Sequence, residues 1–301
     1  MSNTQVISEF RNGVYKEYIV NPQHLINVKN GLLDLSTRPM TLRPHTPEVF
    51  STIQLDVNYR PEAVCPVFDR FLSDVCAYPA PNTGRSTGRS TSDDDDRAGI
   101  DEATTEARKQ FILEFMGAIF SNVHADRFNK QTLFLYGPAD TGKTLLLNLV
   151  ESITGSYVMI DCLKAAKTAK HPKWAKMAKK SQLNDTRLAV SADTAFIDKR
   201  TMKAANDFSG FCWFNMHLKP DLGSLTRSGF LTEAERRKIA VFQFPNVIPV
   251  DKRDCWLLEK MLAERDGIFA KVISVFSAMK GFDFHEPYGS EIKPATASTV
   301  C

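Results

Sequence analysis

The run LFLYGPADTGKTLLLNLV, from Leu133 to Val150, constrains this chain more than any other stretch. A β-type apolar segment leads into Gly137, Pro138, Ala139, Asp140, Thr141, Gly142, Lys143 and Thr144, and an apolar helical segment beginning at Leu145 leads out. The eight residues satisfy G-x-x-x-x-G-K-[ST], which acts as a phosphate loop only between a strand and a helix. Gly137 and Gly142 let the backbone curl so that successive N–H groups point at phosphate oxygens. A helix starting near Lys143 adds its positive end. Lys143 supplies a point charge for the β- and γ-phosphates, and the Thr144 hydroxyl can ligate Mg²⁺. Residues 137–145 are therefore the candidate nucleotide-binding loop, the alternative being an ordinary glycine turn.

Around this loop the pattern alternates strands with helices, which points to an α/β fold with a parallel sheet. TTEARKQFILEFMGAIF places Phe111, Phe115, Ile119 and Phe120 at helical spacing. TRLAVSAD, FCWFNMHL and RRKIAVFQF read as strands, TMKAANDF as a short helix, and the stretch from WLLEKMLAE through GIFAKVISVFSAMKGF as helical. Upstream, INVKNGLLDL carries an Asn-Gly turn between β-type residues and predicts a hairpin. Val67, Phe68, Phe71 and Leu72 predict a helix. The expected organisation is a small N-terminal domain over 1–77, a flexible linker or insertion over 78–98, the nucleotide-binding domain over 99–284 and a polar tail over 285–301. The linker contains a GRST duplication and four aspartates in a Ser/Gly setting, read as solvated.

Composition excludes more than it selects. A net charge of +3 over 301 residues names no partner, so the placement of lysines matters more than their number. The six cysteines have no CxxC or zinc spacing and read as reduced, buried thiols. No apolar h-region opens the chain and no run reaches membrane-spanning length, so a soluble, intracellular protein is expected. LKAAKTAKHPKWAKMAKKSQL holds seven lysines and no acid, with Lys164, Lys167, Lys170, Lys173, Lys176 and Lys179 at every third position. Period three drifts around a helix, and Pro172 interrupts it. The segment reads as a two-part basic element for phosphate backbones, or else as a solvated lysine face. No NKxD-type base reader and no arginine-rich lid are seen, which argues against GTPases and small-molecule kinases.

Three further stretches carry a resemblance: NGLLDL, RPHTPEVFST and NYRPEAVCPVFDRFL, in that order. With the phosphate loop, they make most of residues 24–284 resemble the helicase part of the phage/plasmid and poxvirus-type primase–helicases, within helicase superfamily 3. The resemblance implies a P-loop NTPase core of AAA+-like type, ATP and Mg²⁺ as cofactors, and a ring, usually hexameric, around DNA. It also implies 3′→5′ unwinding in viral, phage or plasmid replication, with a primase or other replication proteins as possible partners. By position, RLAVSAD places Asp193 as the acid that holds Mg²⁺ with Thr144. FNMHLKP makes Asn215 the candidate γ-phosphate sensor. GFLTEAERRKIAVFQF makes Arg237, or its neighbour Arg236, an arginine finger acting on the next subunit's site. The respective alternatives are a strand-end acid, a turn residue and surface ion-pair partners. The chain departs from the family in two places. The acidic position reads SADT, with a single carboxylate. Only DFSGFCW and Phe214 separate the TMKAAN helix from Asn215, so the DNA-contacting hairpin expected there is shortened or deleted. These departures favour a rival reading, a nucleotide-binding, ring-forming accessory protein of a replication complex that does not unwind.

Overall fold

The structure is a computed structural model and describes residues 6–11, 14–19, 22–78, 101–122, 128, 131–155, 157–159, 186–194 and 197–279. Two small antiparallel sheets come first. β1 (Val6–Arg11) pairs with β2 (Val14–Ile19), and β3 (Leu25–Val28), β4 (Gly31–Asp34) and β5 (Thr41–Arg43) form a meander. The expected hairpin is β3–β4, with Val28 opposite Gly31 and Lys29-Asn30 at the turn. The Asn30 side chain fixes that turn by accepting from Tyr59 N at 2.9 Å and donating to Tyr59 O at 3.0 Å.

Helix α1 (Pro66–Cys76) follows, with Pro66 in its first turn, where a missing N–H costs nothing. Phe68, Phe71, Leu72 and Val75 are buried along one face, as the spacing of the apolar residues predicts. Helix α2 (Glu102–Phe120) starts on Asp101, whose side chain accepts from Thr104 N. Nineteen residues long, it is buried for most of its second half, so it runs through the interior.

The main sheet is parallel and five-stranded. Its strands are β6 (Thr132–Tyr136), β7 (Tyr157–Met159), β8 (Leu188–Thr194), β9 (Phe211–Met216) and β10 (Ile239–Gln243), in the spatial order β10-β6-β9-β8-β7. All six residues of β9 are buried, the unbroken apolar run of a central strand covered on both faces. Side chains alternate between two cores. Leu133, Leu135, Phe211 and Trp213 join a large core with α1, α2, α3 (Lys143–Thr154) and α8 (Arg265–Ser277). Phe134, Cys212, Phe214 and Met216 join a smaller core with α4 (Lys199–Asn206). Helices on both faces make this an α/β fold of the doubly wound kind. Short helices α5 (Leu222–Arg227) and α6 (Glu233–Arg237) connect β9 to β10, and α7 (Leu257–Ala263) precedes α8.

Across the boundary expected at residue 77 the packing is continuous: Ile26, Leu33, Phe68 and Leu72 share one core with Phe115, Leu146 and Ile273. Polar contacts reinforce it. The Glu264 carboxylate, at the α7–α8 junction, accepts from Val67 N and Phe68 N and so caps α1 from the far end of the chain. Lys271 donates to Asp69 at 2.6 Å and Arg265 to Asp56 at 2.8 Å. Tyr78 and Asp101 meet directly, Asp101 N donating to Tyr78 O at 2.9 Å. Cys65, Cys76 and Cys212 are buried free thiols, each pushed up to about 12 by burial, and Cys255 is exposed. No helix among the described residues is long and apolar enough to cross a membrane.

Candidate functional site

Strand β6 lies between β9 and β10, and the chain leaves β6 for the β7 edge but leaves β9 for the β10 edge. Adjacent strands whose outgoing connections diverge open a crevice at their C-terminal ends, the usual ligand position in open α/β sheets. Residues 137–142 fill the mouth of that crevice, between the end of β6 and the start of α3.

Local chemistry explains the shape of the loop. Gly137 has φ 150°, and a Cβ there would lie 2.1 Å from Phe244 O, so no other residue fits without displacing the chain after β10. Gly142 caps α3 at φ 87°, and its Cα side is closed by Val75 and Phe71 of α1. Asp140 takes a positive φ of 61°, uncommon for a residue with a side chain. Pro138, Ala139 and Asp140 are exposed, whereas Thr141 is 1% and Lys143 7% exposed. Lys143 Nζ donates to Gly137 O at 2.9 Å, to Thr141 Oγ1 at 3.0 Å and to Pro138 O. Its ammonium therefore sits inside the curl of the loop. Thr144 is exposed in the first turn of α3, and Leu145 packs against the large core.

Two other predicted residues reach the same edge. Leu135 is level with Asn215 on the neighbouring strand, and Gly137 N donates to Met216 O at 3.2 Å, so Asn215 lies directly beside the start of the loop. Its side chain is 2% exposed and accepts from Trp213 Nε1 at 3.1 Å. Among the described residues, Asn215 Nδ2 has no hydrogen-bond partner. A buried amide donor without a partner is costly and uncommon, and suits a site that completes itself on binding. On the next strand, Ser191 pairs with Phe214 and Thr194 with Met216, so Ala192 and Asp193 together face Asn215 across a β-bulge. Bulges re-aim residues beside functional sites, and this one puts the Asp193 backbone at the same level as Asn215.

Arg236 and Arg237 are not brought there. They end α6, immediately before β10, at the N-terminal edge of the sheet. Five strand residues separate that edge from the loop, roughly 16 Å at the usual rise. Arg236 pairs with Glu233 at 3.6 Å, and α6 buries no residue. Lys164, Lys167, Lys170, Lys173, Lys176 and Lys179 lie outside the described residues.

Sequence reasoning missed the strap that follows β10. Arg253 Nη2 donates to Asp140 Oδ2 at 2.9 Å, Ile248 N donates to Asp140 O at 2.9 Å, and Arg253 Nε holds Ile248 O at 3.1 Å. Asn246 Nδ2 donates to Asp74 O and Ala77 O at the end of α1. Arg108, 5% exposed, donates from α2 to Cys76 O at 3.0 Å and to Gln243 O, with Phe242 4.2 Å below its guanidinium. Burial lowers its pKa, and the carbonyl and ring contacts keep the cation solvated by protein. No local motif marks Arg108, Asn246 or Arg253, because their partners lie far along the chain.

Among the described residues, no three His, Cys, Asp or Glu side chains converge on a metal position. The exposed Thr144 hydroxyl at the start of α3 is a group that could ligate Mg²⁺ beside phosphate oxygens, and the Asp193 side chain lies outside what the structure describes.

Residues 10–77 match the family described as D5 N terminal like. No curated protein matches the chain. Among solved structures, the A form apo structure of the NrS-1 C terminal region is similar at 11% identity and TM-score 0.46, over 86% of this chain and 57% of that one. The JCV helicase structure is similar at 11% identity and TM-score 0.30, over 56% of this chain and 49% of that one. The chain thus spans about half the length of the solved chains it resembles, and what the sequence comparison shows is a D5 N terminal like region over residues 10–77.

Proposed function

We propose that this chain is a P-loop ATPase with an AAA+-like core that works as a superfamily 3 DNA helicase in viral, phage or plasmid replication. One observation carries the reading. Lys143, the exposed Thr144, the buried donor of Asn215 and the bulge at Asp193 lie together at the C-terminal ends of adjacent parallel strands. The family match over 10–77 covers the region in which NGLLDL and CPVFDRFL carry the same resemblance.

In this reading Lys143 exchanges its Gly137 and Pro138 carbonyls for phosphate oxygens, and the N–H groups of the loop and the start of α3 bind the remaining charge. Magnesium ATP supplies the electrophilic phosphorus and its leaving group. Asn215 Nδ2 donates to the γ-phosphate or to the attacking water, and Asp193 orients the metal or that water. Arg236 and Arg237 stand at the opposite edge of the sheet from this site, so an arginine finger from this chain acts on a second copy. A ring of copies, single- or double-stranded DNA in its channel and the 164–179 lysines as a DNA contact complete the proposal.

The rival, a ring-forming accessory protein without unwinding, is favoured by one specific feature. Only four residues, 207–210, separate the end of α4 from the start of β9, too few for a DNA-contacting hairpin. ATP turnover with and without single-stranded DNA, in wild type and Lys143→Ala, tests the proposal. Turnover that DNA accelerates and the variant lacks supports the motor, and ATP binding without DNA-stimulated turnover supports the accessory protein.

A further inference from the structure

Asn215 and Trp213 are two residues apart on β9, so their side chains leave the same face of the strand. Trp213 is fully buried in the large core, edge-on to Phe115 at 5.9 Å between ring centroids. Its indole nitrogen can only donate, so the atom it meets at 3.1 Å must be the amide oxygen of Asn215. This contact removes the two-fold ambiguity of an asparagine amide. The oxygen faces inward to the ring, and the NH₂ group is the end left over, with no acceptor among the described residues.

We infer that Trp213 is a positioning residue for phosphoryl transfer, holding the Asn215 amide so that its Nδ2 donor, and not its oxygen, faces the transferred phosphate and the attacking water. The inference rests on the ATPase reading of this site. A flipped amide would present an acceptor to an anion and reverse the sign of the interaction. The indole prevents this because flipping would set an NH₂ group against an N–H, two donors facing each other in a buried core. Aromatic packing around Phe115 and Phe211 fixes the indole itself, so the order of the core is passed to a single polar atom at the site.

The test uses the full chain as wild type, Trp213→Phe, Asn215→Asp and the double variant. Asn215→Asp keeps an oxygen for the indole but has no donor. It should leave the Trp213 indole proton protected from exchange while ATP turnover falls on the order of a hundredfold. Trp213→Phe should lower kcat about tenfold with KM for ATP changed less than about twofold. In the Asn215→Asp background it should cost nothing further, since its effect passes through the amide. The chain has three tryptophans, so Trp213→Phe also assigns the indole signal in tryptophan-labelled protein. Losses that multiply in the double variant, a loss confined to KM, or an unprotected indole proton each overturn the inference. If Trp213→Phe does not fold, benzothienylalanine at position 213 keeps the shape and lacks the N–H, and the same outcomes decide. Wild type that binds magnesium ATP without turnover sinks the hydrolysis reading alone. The inference is then decided by the Asn215 side-chain amide signal, which ATP must shift in wild type but not in Trp213→Phe; absence of that shift in wild type overturns it.

Discussion

At the C-terminal edge of the parallel sheet, Lys143 donates to three oxygens, Gly137 lies under a carbonyl and Asn215 is fixed by an indole. At the N-terminal edge, Arg236 and Arg237 stand on a five-residue helix that buries nothing. The first edge is over-determined by the chain's own core. The second is held by a local capping box, Thr232 and Glu235 bonding each other's backbone N–H, and by strand β10 behind it. The difference separates two kinds of candidate residue. Groups at the first edge can act on a ligand held by the same chain. Groups at the second can contribute to such chemistry only by meeting another molecule, and the proposed arginine finger requires a second copy.

Mutations can break this contrast in order of size. Lys143→Ala should abolish ATP turnover, as the loss of the one buried cation in the curl of the loop requires, and steady-state phosphate release measures it. Arg237→Ala, or Arg236→Ala, should cost about a thousandfold in turnover while leaving stability within about 0.5 kcal/mol, as expected of an exposed residue acting in trans. Mixing Lys143→Ala with Arg237→Ala chains should then recover part of the activity. No recovery at any ratio would return both arginines to the status of surface ion-pair partners.

Gly137→Ala should destabilise the fold by about 2–4 kcal/mol in urea unfolding, since the new Cβ meets Phe244 O and not a pliable side chain. A smaller loss would mean that the strap after β10 yields easily. Arg253→Ala removes an exposed pair with Asp140, worth less than about 1 kcal/mol, and should change nucleotide affinity less than about fivefold by fluorescent-nucleotide titration.

The smallest expected effect lies away from both edges, at Asp34. Burial raises its pKa, but the hydroxyl and amide of Ser36 and the Arg43 guanidinium outweigh that and hold it below the ordinary 3.8. A depressed carboxyl contributes stability above its unfolded pKa and loses it as pH falls through that value and then through the folded one. Asp34→Asn should therefore flatten the acid limb of the thermal-stability profile below about pH 4 and leave the phosphate loop unchanged.

The sequence by itself determined the nature of the loop and most of the elements. Glycines at 137 and 142 admit a conformation that other residues resist, and apolar periodicity marked α1, α2 and the strands because burial on one or both faces leaves a period that can be counted. It also named Asn215, although only as a residue type at a motif position. The tertiary structure alone decided which residues meet. Strand order put β9 beside β6 and so brought Asn215 to the loop, and Trp213 set the direction of its amide. The core fused the 26–76 region with α2, α3 and α8, and Glu264, Arg108 and Arg253 joined segments more than a hundred residues apart or across the fold. Such contacts depend on where chains cross in space, and no local spacing records that. The opposite placement of Arg236 and Arg237 follows for the same reason: parallel strands send their C-terminal ends to one edge, and a residue that precedes a strand belongs to the other.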